Sequence, residues 1–60
     1  MNLYEEFRQR MKAAETRQEL AEAYREAIEA HHTGKDLLAY EMEELTSVYV
    51  DLCGENGWNL

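Results

Sequence analysis

Glutamates recur with the spacing Glu-x-x-Glu in the segments 19–22 (ELAE) and 41–44 (EMEE). Residues three apart lie on neighbouring turns of one helix face, so each pair could present two carboxylates to a cation such as Mg²⁺. A metal-dependent all-α hydrolase is therefore one hypothesis. Magnesium chemistry needs converging carboxylates, however, and Glu19 and Glu22 fall on the helix side opposite the apolar stripe, which disfavours such a site.

Histidine and cysteine offer little further chemistry. Glu29 and His32 have the Glu-x-x-His spacing of di-iron carboxylate bundles, but only one copy is present and Glu29 lies on the polar face. Cys53, His31 and His32 do not supply the four ligands of a structural zinc site. Cys53 is placed at a helix C-terminus, where the dipole disfavours a thiolate. We expect no metal, no cofactor and no enzymatic activity.

Charge indicates the kind of partner. The 60 residues include thirteen acidic and six basic side chains, a net charge of -7. Residues 1–18 carry four basic and three acidic side chains, so the strongly negative part is residues 19–60. This charge disfavours nucleic acid and anionic membranes as direct partners and favours a basic protein.

Length and composition predict a small cytoplasmic protein. The sequence shows no charged-then-apolar leader, no apolar run long enough to span a bilayer and a single cysteine, which suits a reducing compartment. A chain this short buries only about 60% of the surface that its unfolded form exposes. Because disulfides and metals are not expected to support this thin core, self-association as a homodimer is predicted.

Two N-terminal helices are predicted from their caps. Asn2 followed by Glu5 favours a first helix over about 3–14, with apolar residues on one face. Thr16 followed by Glu19 forms a capping box, which predicts a second helix over about 17–32. The alternative is one unbroken helix over 3–32, since no glycine or proline forces a break.

The remaining pattern predicts a helical hairpin. A stripe of Leu20, Tyr24, Ala27 and His31 is followed, after a short connection, by a second stripe of Leu38, Met42, Leu45, Tyr49 and Leu52. We expect Gly34 to end the second helix and Gly54 to end the third, and Thr33 and Asp36 could form a capping box at the start of the third. The two helices then form an antiparallel pair over about 17–32 and 35–53. The fold is thus all-α, a three-helix unit over 1–54 with a tail over 55–60.

Two polar residues fall within the predicted apolar stripes. Glu41 lies on the apolar side of the third helix, and His31 lies within the stripe of the second. A His31–Glu41 hydrogen bond could satisfy both groups, whereas a Glu41 near the start of the helix could instead remain solvated.

Two surfaces are candidates for binding a protein. The first is an acidic row, formed by Glu19, Glu22, Glu26 and Glu29 with support from Glu43 and Glu44. The second is Trp58, joined by Leu60, Tyr40 and Val50; aromatic side chains are good interface anchors. The alternative for Trp58 is that it folds back to cap the protein's own small core. These surfaces predict a small acidic regulator or inhibitor, of the kind that phages and mobile elements encode, that docks on a basic, nucleic-acid-handling protein. The alternative is a structural or assembly subunit that acts through apolar helix faces.

Overall fold

Each of the first two helices begins at the polar residue predicted to cap it. In the computed structural model, which describes residues 2–58, α1 spans Leu3–Ala13 and α2 spans Arg17–His32. Asn2 Oδ1 accepts a hydrogen bond from the Glu5 amide at 2.8 Å, and Thr16 Oγ1 accepts one from the Glu19 amide at 3.1 Å. Each bond satisfies one of the amides that a helix N-terminus leaves without a partner.

A break separates α1 from α2, so the single helix over 3–32 is wrong. Ala14 has an extended backbone, with φ -62° and ψ 133°. The Glu19 carboxylate accepts a hydrogen bond from the Glu15 amide at 2.8 Å. A capping box predicts the amide of the next residue, Thr16, as this donor. The side chains of Thr16 and Glu19 thus stabilise the start of α2 after the break, without a glycine or a proline.

The connection after α2 is longer than predicted. Gly34 adopts the left-handed conformation, with φ 78°, as expected. The Gly34 amide bonds to the His31 carbonyl at 3.3 Å and the Lys35 amide to the Ala30 carbonyl at 3.1 Å, the pairing of a Schellman motif. The Thr33 hydroxyl donates to the Ala30 carbonyl and so completes α2 instead of beginning the next helix.

The third helix, α3, spans Ala39–Asn56, so the predicted start at about residue 35 is wrong. Leu38 occupies the N-cap position with an extended backbone and is 56% exposed, whereas its neighbour Leu37 is 2% exposed. The connection therefore buries the first leucine of the pair and leaves the second, a predicted stripe member, in water. A leucine side chain cannot accept a hydrogen bond from the helix amides. The start of α3 is instead stabilised by the Glu41 carboxylate, which accepts the Leu38 amide.

The C-terminal end of α3 lies at Gly57, not at Gly54. Gly57 has φ 70°, its amide bonds to the Gly54 carbonyl at 3.3 Å, and the Trp58 amide bonds to the Cys53 carbonyl at 2.8 Å. This second Schellman motif is followed by an apolar side chain, as such motifs often are, whereas a motif at Gly54 would be followed by the polar Glu55 and Asn56. Glu55 and Asn56 therefore belong to the helix and not to the predicted tail.

One apolar cluster lies between the three helices, which pack on one another pairwise. Its fully buried large side chains are Met11 from α1, Leu20 from α2 and Leu45 from α3. The rest of the buried cluster is formed mainly by small side chains; its other members are Phe7, Ala23, Ala27, Ala30, Leu37 and Cys53. The described residues are thus an all-α, three-helix fold, about 32 × 17 × 16 Å in extent.

Two tyrosines join α2 to α3. The ring centroids of Tyr24 and Tyr49 lie 4.6 Å apart, and the Tyr24 hydroxyl lies 2.7 Å from Thr46 Oγ1. Because the Thr46 hydroxyl gives its hydrogen to the Met42 carbonyl, the tyrosine is the donor in this pair.

Within residues 2–58, no helix is sufficiently long and apolar to traverse a lipid bilayer.

The two glycines at the end of α3 provide a matched test. We expect Gly54→Ala to raise the free energy of unfolding by roughly 0.5 to 1 kcal/mol, because Gly54 is helical and alanine is the better helix former. Gly57→Ala should lower it by about 1 kcal/mol, because its positive φ strains an L-residue. An added Cβ meets nothing within 4 Å at either site, so packing does not confuse the comparison.

Urea unfolding measures both changes. A destabilising Gly54→Ala together with a neutral Gly57→Ala would instead show that the helix ends at Gly54.

Candidate functional site

The acidic row of α2 lies on the surface, with Glu19, Glu22, Glu26 and Glu29 all exposed. Leu20, Ala23 and Ala27, which alternate with these glutamates in sequence, are buried against the other helices. The helical period of 3.6 residues separates the two sets onto adjoining faces of α2. The carboxylates are therefore available to contact another molecule, unless the chain itself engages them.

Glu26 is engaged by α1. Arg10 Nη1 and Nη2 lie 3.0 Å from Glu26 Oε1 and Oε2, a bidentate ion pair between two half-exposed side chains. The Arg10 guanidinium also lies 5.6 Å from the centre of the Phe7 ring, so the ring restricts its position. Hydrogen bonding to Arg10, and then its positive charge, holds the pKa of Glu26 below the usual value of a glutamate.

Glu19 is also engaged, because its carboxylate accepts the Glu15 amide at the start of α2. Glu22 and Glu29 remain, and among the described residues neither makes a side-chain hydrogen bond or a salt bridge. The predicted row of four equivalent carboxylates is therefore two carboxylates held by the chain and two that face solvent.

The two acidic residues predicted to support the row lie on α3 and differ from each other. Glu43 and Glu44 are both exposed. Glu44 approaches α1, where hydrogen bonding to its carboxylate, followed by burial, raises the pKa of the Tyr4 hydroxyl. Glu43 makes no side-chain hydrogen bond or salt bridge within residues 2–58 and lies on the solvent side of the helix.

A groove between α1 and α3 gathers opposite charges over apolar side chains. Its apolar members are Val48 and Leu52, and its charged members are Arg8, Lys12, Asp51 and Glu55. Arg8 Nε is buried there and has no hydrogen-bond partner among the described residues. Both basic residues come from α1 and both acidic ones from α3, so side chains of opposite charge border this groove, without an ion pair like that of Arg10 and Glu26.

The predicted contact between His31 and Glu41 is replaced by two separate backbone contacts. His31 Nδ1 lies 2.8 Å from the Leu37 carbonyl, and Glu41 Oε1 accepts the Leu38 amide at 2.9 Å. Both side chains are half-buried. This carbonyl and this amide belong to the connection before α3, and each side chain satisfies one of them. Both residues therefore position this connection.

Trp58 packs against the protein's own apolar cluster and is half-buried. It follows the left-handed Gly57, so the end of α3 directs it back toward the helices. Leu60, its predicted companion, lies outside the described residues. The other two apolar companions behave differently, because Tyr40 is 61% and Val50 is 49% exposed.

Within residues 2–58, no group of three or more histidine, cysteine, aspartate or glutamate side chains is arranged to hold a metal ion. Comparison of the chain with known protein families, with curated proteins and with solved structures finds no match. The surface chemistry of the three helices is therefore the basis for assigning a function.

Two variants test the ion pair between α1 and α2. We expect Arg10→Gln to raise the pKa of Glu26 toward the ordinary glutamate value, because the depression comes from that guanidinium. Lys12→Gln removes the same charge from α1 but does not remove this contact, so it should leave the pKa of Glu26 low. Carboxyl chemical shifts followed by NMR from about pH 2 to 7 report both values.

The sign of the linked stability change follows from the lowered pKa. The ion pair stabilises the folded protein above the unfolded-state pKa of Glu26, and that contribution disappears as the pH falls through the lower folded-state pKa. If Arg10→Gln and Lys12→Gln shift Glu26 equally, the effect is general charge and the bidentate contact is not formed.

Proposed function

We propose that the protein is a small acidic regulator that acts by binding a basic protein partner and not by catalysis. The acidic surface supports this proposal. The net charge of -7 attracts a basic partner over distances of about 10 Å at 0.1 M salt. Opposite charge on two surfaces raises the association rate and selects against acidic partners.

The observation that carries the proposal is the separation of charge among the helices. Basic side chains of α1 face the grooves between helices, where Arg10 binds Glu26 and where Arg8 and Lys12 lie beside acidic residues of α3. Of these cations, Arg10 is held by an ion pair within the bundle. Glu22 and Glu29 face solvent on α2, where the exposed Arg25 lies on the same face, and Glu43 faces solvent on α3.

A narrower form of the proposal is an inhibitor of a nucleic-acid-handling protein, of the sort that phages and mobile elements encode. Carboxylates in a row imitate the phosphates of a nucleic acid, and a basic groove built for phosphates would accept them. Size and charge alone support this form. The cytoplasm is the compartment in which such a partner would be met.

The second candidate function is a structural or assembly subunit that associates through apolar surface, including as a homodimer. Exposed Leu38, Tyr40 and Val50 favour it, because large apolar side chains left in water on a small protein are typical of contact surfaces. In that case the acidic residues serve solubility, and binding would not depend on them.

Neutral substitutions at the solvent-facing carboxylates test the first proposal. We expect Glu22→Gln with Glu29→Gln to reduce at least about tenfold the affinity for a partner captured from a lysate and identified by mass spectrometry, because two electrostatic attractions to the partner are lost. The matched control is Glu6→Gln with Asp36→Asn, which removes the same charge from exposed sites away from the acidic row. The control should change the affinity about twofold or less.

Salt concentration separates the two functions. Partner binding that weakens steeply between about 50 and 300 mM NaCl supports electrostatic docking, because exposed charges are screened over that range. Binding that is unchanged by salt, together with equal affinities for the two double variants, would exclude the acidic row as the docking surface and favour assembly through apolar contacts.

A further inference from the structure

The large apolar side chains that remain exposed within residues 2–58 are concentrated at one helix. They are Leu38, at the N-cap of α3, and Tyr40 and Val50, within α3. The apolar faces of α1 and α2 are turned inward, where Phe7, Met11 and Leu20 are buried. The third helix is therefore apolar on the side that packs in the bundle and partly apolar on the side that faces water.

The exposed residues of α3 form a continuous strip. Tyr40, Glu43, Ser47 and Val50 follow the spacing i, i+3, i+7 and i+10, and all four are exposed. That spacing places them on one face of a helix, over about 15 Å of its length. Leu45, which is fully buried, marks the opposite face. We call these four residues the α3 strip.

The shape of the strip suits another helix. Tyr40 and Val50 stand at its two ends, while Ser47 between them has a short side chain. A tyrosine and a branched aliphatic side chain with a small residue between them allow the ridge of a second helix to approach closely. Tyrosine is also among the residues that contribute most at protein interfaces.

Charge decides which helix could lie there. From Ala39 to Asn56, α3 has five acidic side chains and no lysine or arginine. Glu43 lies within the strip, and the exposed Glu44 and Asp51 lie beside it in the next helical row. A second copy of α3 would bring carboxylates against carboxylates, which disfavours self-pairing. A helix with basic side chains beside its apolar ones would be complementary.

We propose that the α3 strip binds an amphipathic helix of a partner protein, with apolar residues spaced i, i+3 or i+4, and i+7, and with lysine or arginine on the flanks. Tyr40 and Val50 contact the apolar residues, and Glu43 pairs with a flanking cation. This is the helix-on-helix recognition that amphipathic segments use widely. The inference rests on the proposed function for the basic character of the partner, and it adds the partner's secondary structure and the face that it contacts.

A synthetic peptide tests the strip directly. The probe is an 18-residue helical peptide with leucines on one face and lysines on both flanks. One control peptide has glutamate in place of every lysine, and the other has serine in place of every leucine. We expect the wild-type protein to bind the probe at least about tenfold more tightly than either control, measured by calorimetry at about 150 mM NaCl.

Variants of the protein locate the binding face. Tyr40→Ser with Val50→Ser should weaken probe binding at least about tenfold, because both apolar anchors are removed. Leu38→Ser is the matched control, since it removes an equally exposed apolar side chain outside the strip, and it should leave binding within about twofold. All three positions are exposed, so the folded state should survive, and circular dichroism checks this for each variant.

Three results would overturn the inference. One is probe binding that is unchanged in the Tyr40→Ser, Val50→Ser variant, and another is equal binding of the glutamate-containing control peptide. The third is a wild-type dimer, seen by sedimentation equilibrium, that the same double variant dissociates, because the strip would then hold a second copy. If substitution of Glu22 and Glu29 weakens partner capture while substitution of Tyr40 and Val50 leaves probe binding unchanged, the proposed acidic regulator is supported and the α3 strip is rejected as a binding face. If the strip binds the probe while substitution of the two glutamates leaves partner capture unchanged, the acidic row is rejected as a docking surface and the strip is supported.

Discussion

Packing α1 against both other helices is the interaction on which the rest of the structure depends. The face that α2 turns inward carries three alanines and only one large, fully buried side chain, Leu20. Such a face encloses little apolar volume with a single partner helix. Phe7 and Met11 from α1 join it to Leu45 of α3 in one buried cluster, which a domain of this size needs because its surface is large for its volume.

The position of α1 also determines the charge of the surface. Once Phe7 and Met11 are buried, the helical period places Arg10 toward α2 and Arg8 toward α3, on either side of the buried stripe. Arg10 then meets Glu26 in a bidentate pair. The same packing that completes the core therefore removes some carboxylates from the acidic surface and leaves others to face solvent.

Local signals in the sequence predicted the first two helices well. Asn2 and Thr16 lie within three residues of the amides that they bind, so their roles can be inferred without knowledge of the fold. The start of α3 was predicted too early because Thr33 and Asp36 have the spacing of a capping box, whereas the Thr33 hydroxyl bonds back to the Ala30 carbonyl of α2. The end of α3 depended on Trp58, since two glycines were equally able to adopt a positive φ and the apolar residue after Gly57 distinguishes them.

The candidate site was predictable in composition but not in pairing. Helical periodicity placed the α2 glutamates on the surface, and the structure confirms their exposure. The partners of Glu26 and Glu44 come from α1, which is distant in sequence, so no local pattern indicated them. A usable signal was present in Arg8 and Arg10, which flank the apolar stripe of α1 and must border its neighbours once that stripe is buried. Glu41 was misread for a related reason, because its role depends on where α3 begins.

Unfolding of a Met11→Ala variant tests most directly whether α1 completes the core. Met11 is 1% exposed, and truncating a buried methionine costs about 2 to 5 kcal/mol. We therefore expect a loss of at least about 2 kcal/mol in the free energy of unfolding by urea, against less than about 0.5 kcal/mol for Gln9→Ala on the exposed side of the same helix. Equal and small effects of the two substitutions would contradict the account, because α1 would then not be part of the core.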